Sequence, residues 1–403
     1  MHIVIFVDFH DSSVGGVQTS VRGQRQGLEK LGHTVTIVSP PPVGVQNTDP
    51  SIICVPCVPV VRPNGFPMAF PSQRTIRFIE SELDKRDPID IIHIQTNIGI
   101  GMMGAKIARS RGIPTVQTMH GRDDVFAKGF PLPYLTMLAA KTVHRRFVPY
   151  ESIVNRLDDT PMAHSAWQIM IQQAQAADRV IMPSHHFADK FRAHGVTRPI
   201  AVISNGISDK VVETLSAKVR PAPKNGKLKV MWCGRLSGEK RPIESIDAVM
   251  GVPGCTIDLY GDGPLTGAVG EYVKAHGYEK RVNLKGRVNQ AGVLKAMQKH
   301  DVLLYPSYGF DNQPMVLIEA VAAGIPVIYC DPDLGECMAE KGARITKTTS
   351  VDSITETLDD IARSPRDWLT MHRAMLRHRP KIAQGYHTKK MVQLYKDLLK
   401  KRH

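Results

Sequence analysis

Negative charge is scarce in this chain of 403 residues. Asp and Glu number 38 against 52 Lys and Arg, a formal net charge of +14. An excess of that size favours an anionic partner: nucleic acid, an acidic membrane surface or a phosphorylated substrate. Other deficits narrow the choice. There is no zinc finger and no aromatic platform for RNA, so nothing supports nucleic-acid binding. No apolar run approaches the ~20 residues of a membrane span. His2–Val7 is a short strand-like run without a basic leader or cleavage site, so a cytoplasmic protein is expected. Only six cysteines occur, and Cys54-Val-Pro-Cys57 alone has ligand-like spacing, with no second such pair to complete a zinc site. Reduced structural thiols are the stronger reading. The chain has no short-period repeat, no low-complexity tract and no G-x-G-x-x-G fingerprint.

What is present is ordinary globular composition, 42% hydrophobic and 22% charged, in a chain long enough for two cores. Strand-like runs at His2–Val7, Thr34–Val38, Ile52–Val55, Ile89–Ile94, Thr115–Thr118, Val180–Met182 and Ala201–Ile203 alternate with helical stretches. The first helix is expected over Val17–Leu31, with Val17, Val21, Leu28 and Leu31 on one side. Residues 121–176 are longer and less regular. Residues 208–227 are polar and end Arg220-Pro-Ala-Pro-Lys-Asn-Gly-Lys227, a linker pattern. Strands then resume at Lys229–Cys233, Thr256–Tyr260, Val282–Lys285, Val302–Tyr305 and Pro326–Tyr329. Such alternation predicts an α/β protein with two parallel sheets covered by helices on both faces. Thr388–Lys401 reads as an amphipathic helix carrying Met391, Leu394, Leu398 and Leu399.

His300–Ile328 is the most informative stretch. A buried strand, Val302–Tyr305, breaks at Pro306, Ser307 and Gly309, and a helix follows from about Pro314 to Ala323. Asp311 and Glu319 bracket the helix start with seven residues between them. One acid falls in the loop at the carboxyl end of a strand and the other on the helix behind, where open α/β sheets bind ligands. Asp331-Pro-Asp333 is formally D-x-D but lies in a late loop and reads as one, and Asp123-Asp124 and Asp158-Asp159 are unremarkable.

The acid-x7-acid stretch resembles the donor site of retaining nucleotide-sugar glycosyltransferases of family 4, which have the GT-B architecture. The likeness covers nearly the whole chain, most closely 228–330 and least in 121–176. Two Rossmann-like domains are then expected, 1–207 for the acceptor and 228–385 for the nucleotide sugar. They flank the 208–227 linker, and residues 386–403 form a C-terminal helix returning to the first domain. Val14-Gly15-Gly16-Val-Gln-Thr-Ser20 looks like the family's glycine-rich loop, whereas Gly15-Gly16 alone reads as a tight turn. His120 follows the strand Thr115–Thr118. A lone His there is more often structural, but the family places a His at this point that bonds a donor-sugar hydroxyl.

Gly234-Arg235-Leu-Ser-Gly-Glu-Lys240 matches the family's Gly-Arg-x5-Lys pattern. Sugar transfer expels a diphosphate, whose growing charge falls to cations when no metal is used, here Arg235 and Lys240. Tyr260-Gly-Asp-Gly-Pro264 and Gly286-Arg287-Val288 end two further strands, and the resemblance lays Arg287 against the base. It assigns Glu319 to the ribose and Asp311 to donor-sugar hydroxyls. Asp replaces the commoner Glu and is one methylene shorter, so either the sugar sits differently or Asn312 and Gln313 share that contact. The backbone N–H groups of Asn312, Gln313 and Met315 would face the sugar and diphosphate. No bound cofactor and no metal is implied, only a UDP- or GDP-hexose donor.

The acceptor is less legible. Phe126, Phe130, Leu132, Tyr134, Leu135, Leu138 and Phe147 lie among Lys128, Lys141, Arg145 and Arg146. A helix from Tyr134 would put Leu135, Ala139, Val143 and Phe147 on one side and Lys141, His144 and Arg145 on another. That suits docking on anionic lipid, although core-packing helices with a basic face are commoner. Gly15–His33 and Thr118–Gly129 also resemble bacterial glucosyl-diacylglycerol synthases. The expected function is transfer of a hexose to a membrane lipid or lipid-linked glycan, on the inner face of the plasma membrane. The alternatives are a soluble metabolite or polysaccharide acceptor, and a non-catalytic partner subunit. Intact Arg235, Lys240 and Glu319 speak against the last. Homodimers stay open.

Overall fold

A computed structural model describes residues 1–13, 15–57, 67–127, 132–149 and 160–401. The expectations at Val14, Lys128, Gly129, Phe130 and Asp158-Asp159 lie outside them, as does the Phe126 side chain. The chain forms two compact units, Met1–Ser204 with His387–His403, and Asn205–Tyr386.

The first unit contains β1 (His2–Phe6), α1 (Gly16–Lys30), β2 (Thr34–Ser39), β3 (Ile52–Cys54), α2 (Gln73–Leu83), β4 (Ile91–Ile94), α3 (Gly99–Arg111), β5 (Thr115–Thr118), α4 (Asp123–Phe126), α5 (Pro133–Phe147), α6 (Pro161–Gln175), β6 (Arg179–Met182), α7 (His185–Ala193) and β7 (Ile200–Val202). The second contains α8 (Asp209–Thr214), β8 (Lys229–Cys233), α9 (Pro242–Met250), β9 (Thr256–Tyr260), α10 (Thr266–Ala275), β10 (Val282–Gly286), α11 (Gln290–Met297), β11 (Val302–Tyr305), α12 (Met315–Ala323), β12 (Val327–Tyr329), β13 (Ala343–Ile345), α13 (Val351–Arg363) and α14 (Pro365–Ile382). The last helix, α15 (Gln384–Lys400), begins at the unit boundary and packs on the first sheet through Met391, Val392, Tyr395 and Leu398.

Both sheets are parallel and each has a point where strand order reverses. The first runs β3-β2-β1-β4-β5-β6-β7 and turns between β1 and β4. The second runs β10-β9-β8-β11-β12-β13 and turns between β8 and β11. Central strands read as unbroken apolar runs because each face meets a different core. Val4 and Phe6 pack with α2 and α3, while Ile3, Ile5 and Val7 pack with α1 and α15. Val230 and Trp232 serve one core of the second sheet and Met231 the other.

Several expectations need correction. Residues 121–176 are helical where described, as α4, α5 and α6. On α5, Phe147 is buried while Leu135, Ala139 and Val143 are exposed, so the four do not share an environment. His144 is not on the solvated basic face. It is buried, with Nδ1 3.1 Å from Gln172 Oε1 and Nε2 3.0 Å from Gln173 Oε1. Leu31 is exposed beyond the end of α1, and the buried face of that helix includes Gln18, Ser20 and Gln24. Residues 208–227 carry α8 and are pinned within the second unit. Arg379 bonds Ser216 O at 2.6 Å, and Arg220 bonds Gln298 O and His300 O at 2.8 Å each.

The loops after β8, β9 and β10 are laced by backbone: Gly234 N to Tyr260 O at 3.0 Å, Leu236 N to Asp262 O at 2.9 Å, Gly261 N to Gly286 O at 2.9 Å. Gly261 has φ 137°, and a Cβ there would meet Gly234 O at 1.8 Å. Gly261→Ala should cost about 2 kcal/mol or more, read as a lower denaturation midpoint. Gly267→Ala, exposed on α10 with nothing within 4 Å of its Cβ, should be neutral or stabilising by up to ~1 kcal/mol.

Candidate active site

In the second unit the switch point falls between two predicted loops. The loop after β8 carries Arg235 and Lys240, and the loop after β11 carries Asp311. The structure joins them. Lys240 Nζ lies 2.7 and 2.6 Å from the two Asp311 carboxylate oxygens. Each side chain is only 13% exposed, so the pair is poorly screened by solvent. Tyr305, the last residue of β11, completes the cluster. Its hydroxyl donates to Asp311 Oδ2 at 2.6 Å and accepts from Lys240 Nζ at 3.0 Å. Burial, then the Asp311 charge, push the phenol well above its ordinary pKa, so it stays protonated. The Phe310 ring lies 4.9 Å from the Lys240 ammonium.

Arg241, directly after Lys240, sets this geometry and was not anticipated. It takes the left-handed conformation (φ 52°), and its guanidinium spans the switch point to Pro306 O at 3.2 Å and Thr349 O at 2.6 Å. Asp331 also serves the loop after β11. One carboxylate oxygen takes the N–H of Gly309 at 2.7 Å and the other that of Asp333 at 3.1 Å. The formal D-x-D carboxylate is thus spent on loop structure. Among the described residues no group of three His, Cys, Asp or Glu is gathered that could hold a metal ion.

Glu319 sits on α12, 8% exposed, with one oxygen held by Gln290 Nε2 at 2.8 Å. Burial raises its carboxyl to about 7, against a lowering by Gln290. Gln290 opens α11 three residues after Arg287, so the exposed Arg287 lies on the loop that reaches Glu319. Arg235 is exposed. Asn312 is buried, and Gln313 Oε1 accepts from Asn205 N at 2.8 Å, so that oxygen is occupied within the unit. Met315 opens α12, placing its N–H among those that a helix start leaves unbonded.

In the first unit, Gly15 is the N-cap of α1 and Gly16 its first residue. Arg22 steadies the preceding loop through Asp11 O (Nε, 3.1 Å) and Ser13 O (3.2 Å). A Cβ on Gly16 would meet nothing within 4 Å, so packing does not demand glycine there. His120, just past β5, sets Nε2 2.7 Å from Gln95 Oε1. Burial pushes its imidazole down to about 4, so it is neutral at physiological pH.

Residues 14–211 match the family model described as Glycosyltransferase Family 4, and residues 216–378 match Glycosyl transferases group 1. The chain belongs to the family 4 glycosyltransferases. It is 24% identical over 418 residues to an alpha-monoglucosyldiacylglycerol synthase of Acholeplasma laidlawii, covering 100% of this chain and 98% of that one. The namesake of Streptococcus pneumoniae is 25% identical over 359 residues, 85% of this chain and 74% of that one. Among solved structures, Anabaena HepE in complex with UDP superposes with a TM-score of 0.70 at 14% identity, covering 98% of this chain and all of that one. Sucrose-phosphate synthase of Thermosynechococcus elongatus gives 0.67 at 16% identity, 98% of each chain. The two parallel-sheet units are therefore the GT-B fold.

Removing one member of the Lys240–Asp311 pair strands a poorly hydrated charge. Asp311→Ala and Lys240→Met should each destabilise by about 2–3 kcal/mol, while the double variant loses much less than their sum. Urea denaturation of the four proteins measures the coupling.

Proposed function

We propose that this glycosyltransferase moves a hexose from a UDP- or GDP-sugar to a hydroxyl of a membrane lipid or lipid-linked glycan, with retention at the anomeric carbon. The observation that carries the donor half is the gathering of Lys240, Asp311 and Tyr305 across the switch point, with Glu319 on the helix behind. Glu319 grips the ribose hydroxyls. Asp311, with the neighbouring backbone N–H groups of Asn312, Gln313 and Met315, holds the sugar. Arg235 and Lys240 take the diphosphate, Arg287 lies against the base, the Gly15-Gly16 turn admits the donor closely, and His120 bonds a sugar hydroxyl. The bond from the anomeric carbon to the leaving phosphate oxygen breaks as the acceptor oxygen bonds on the same face. The acceptor proton passes to the departing diphosphate, whose charge the two cations stabilise.

The lipid half rests on α5 and on the relatives. Leu132, Tyr134, Leu135, Leu138 and Val143 are 71, 49, 56, 41 and 43% exposed, beside exposed Arg145 and Arg146. Exposed apolar side chains flanked by cations suit the surface of an anionic bilayer. Two similar proteins are named for a diacylglycerol product and others as phosphatidyl-myo-inositol mannosyltransferases. No described helix is long and apolar enough to cross a membrane. The attachment proposed is peripheral, on the inner face of the plasma membrane.

The test is nucleotide diphosphate release from UDP-glucose, UDP-galactose, UDP-N-acetylglucosamine and GDP-mannose, with and without anionic liposomes containing diacylglycerol. Release from one donor, increased by liposomes and lost at least a hundredfold in Glu319→Ala, is expected. Release indifferent to lipid would move the acceptor to a soluble molecule. No release and no nucleotide-sugar binding would sink the catalytic reading.

A further inference from the structure

Glu319 is an under-bonded acid. It is 8% exposed, yet a single hydrogen bond reaches its carboxylate, from Gln290 Nε2 to Oε1 at 2.8 Å. Asp311, the other acid of the crevice, is closed by contrast: Lys240 Nζ bonds both its oxygens and the Tyr305 hydroxyl bonds one of them. Among the described residues Glu319 Oε2 has no hydrogen-bond partner, and no cation pairs with the carboxylate. Oε2 is not sealed from solvent. A nearly buried acid with bonding capacity unused is costly unless something else supplies the bonds.

Gln290 is held where it is by its helix. Asn289 Oδ1 caps the start of α11 through the Gly292 N–H at 2.9 Å, and Val293, Leu294 and Met297 of α11 share a core with Leu317, Ile318 and Val321 of α12. The Gln290 amide makes no other hydrogen bond among the described residues. An ionised carboxylate only accepts, at about four lone-pair sites, so the amide turns its NH2 towards it. Gln290 then occupies one site on Oε1 and leaves the rest for two vicinal hydroxyls. Protonation would make one oxygen a donor and weaken it as an acceptor. Burial favours that neutral form and raises the carboxyl to about 7, and Gln290 opposes it. The titratable group coupled to Glu319 from β8 is Cys233, whose thiol is pushed up to about 12 by burial and then by the Glu319 charge, so it is neutral. The amide therefore does what a neighbouring cation does for Asp311.

We propose that Gln290 is a positioning residue that holds the Glu319 carboxylate as an acceptor for the two ribose hydroxyls of the donor. The proposal rests on the ribose contact put forward above. Gln290 stands three residues after Arg287, so the same side chain ties the grip on the ribose to the loop assigned to the base. The sign of the pH dependence follows. The carboxylate is formed above its midpoint and lost below it, so donor affinity falls as pH drops through about 7. Removing the amide removes the opposing influence and moves that midpoint up.

The test is 13C NMR of the full chain labelled at the glutamate carboxyl, from pH 5 to 10, without donor. Glu319, assigned by its loss in Glu319→Gln, should titrate near 7 in the wild type. Gln290→Met should raise the midpoint by about one pH unit. Gln290→Lys, which sets a cation beside the carboxylate, should lower it, and a disturbed fold would not move the two variants in opposite directions. Affinity for the nucleotide sugar found by the release assay, whose diphosphate diester does not titrate in this range, should be about three- to tenfold weaker in Gln290→Met at pH 7 and approach the wild type at pH 9. A Glu319 midpoint unmoved in the two variants overturns the proposal. A midpoint that moves as expected while donor affinity keeps its wild-type pH dependence overturns it by another route, by removing the ribose contact itself.

Discussion

A salt bridge across a reversal of strand order organises the second unit. β8 and β11 are neighbours whose following loops diverge, and the crevice between them is closed by Lys240 and Asp311. A pair this dry is held only because its surroundings supply further bonds: the Tyr305 hydroxyl, the Phe310 ring and the backbone braces of Arg241 and Asp331. The left-handed backbone at Arg241 is one cost of bringing the loops together. In the proposed reaction the same lysine has a second anion to meet, so Asp311 serves as a stand-in that keeps the ammonium in place until a diphosphate arrives.

The two units carry different chemistry. The second holds fixed charges, with Glu319 poised near neutrality by burial and its environment extended to Gln290. The polar residues bonded around His120 and Gln95 are instead neutral amides, a hydroxyl and an imidazole.

Much of this was legible in the sequence. Val302–Tyr305, Thr115–Thr118, Lys229–Cys233 and Thr256–Tyr260 are strands within the bounds their apolar runs imply, because parallel strands buried on both faces leave an uninterrupted signature. Lys240 and Asp311 could be placed because the carboxyl ends of such strands are fixed by topology. What escaped was what sequence distance hides. Tyr305 read only as the end of an apolar run, and its hydroxyl matters through a residue six positions on. Arg241 carries no sequence signal of its own among 52 lysines and arginines. Gln95 and Gln24 are 71 positions apart and meet only because α1 lies over β4. On α5 a helical pattern was read correctly as a helix but with the wrong face inward, since His144 found two glutamines on α6 that periodicity cannot show.

The central claim is that Lys240 exchanges Asp311 for the diphosphate of a nucleotide. Calorimetric titration of UDP into the wild type, Lys240→Met and the Lys240→Met/Asp311→Ala double variant tests it most directly. The account predicts at least a tenfold weaker affinity in Lys240→Met, only partly recovered in the double variant, because the cation itself is missing. Equal affinity in the wild type and Lys240→Met would contradict it and leave the pair a purely structural brace.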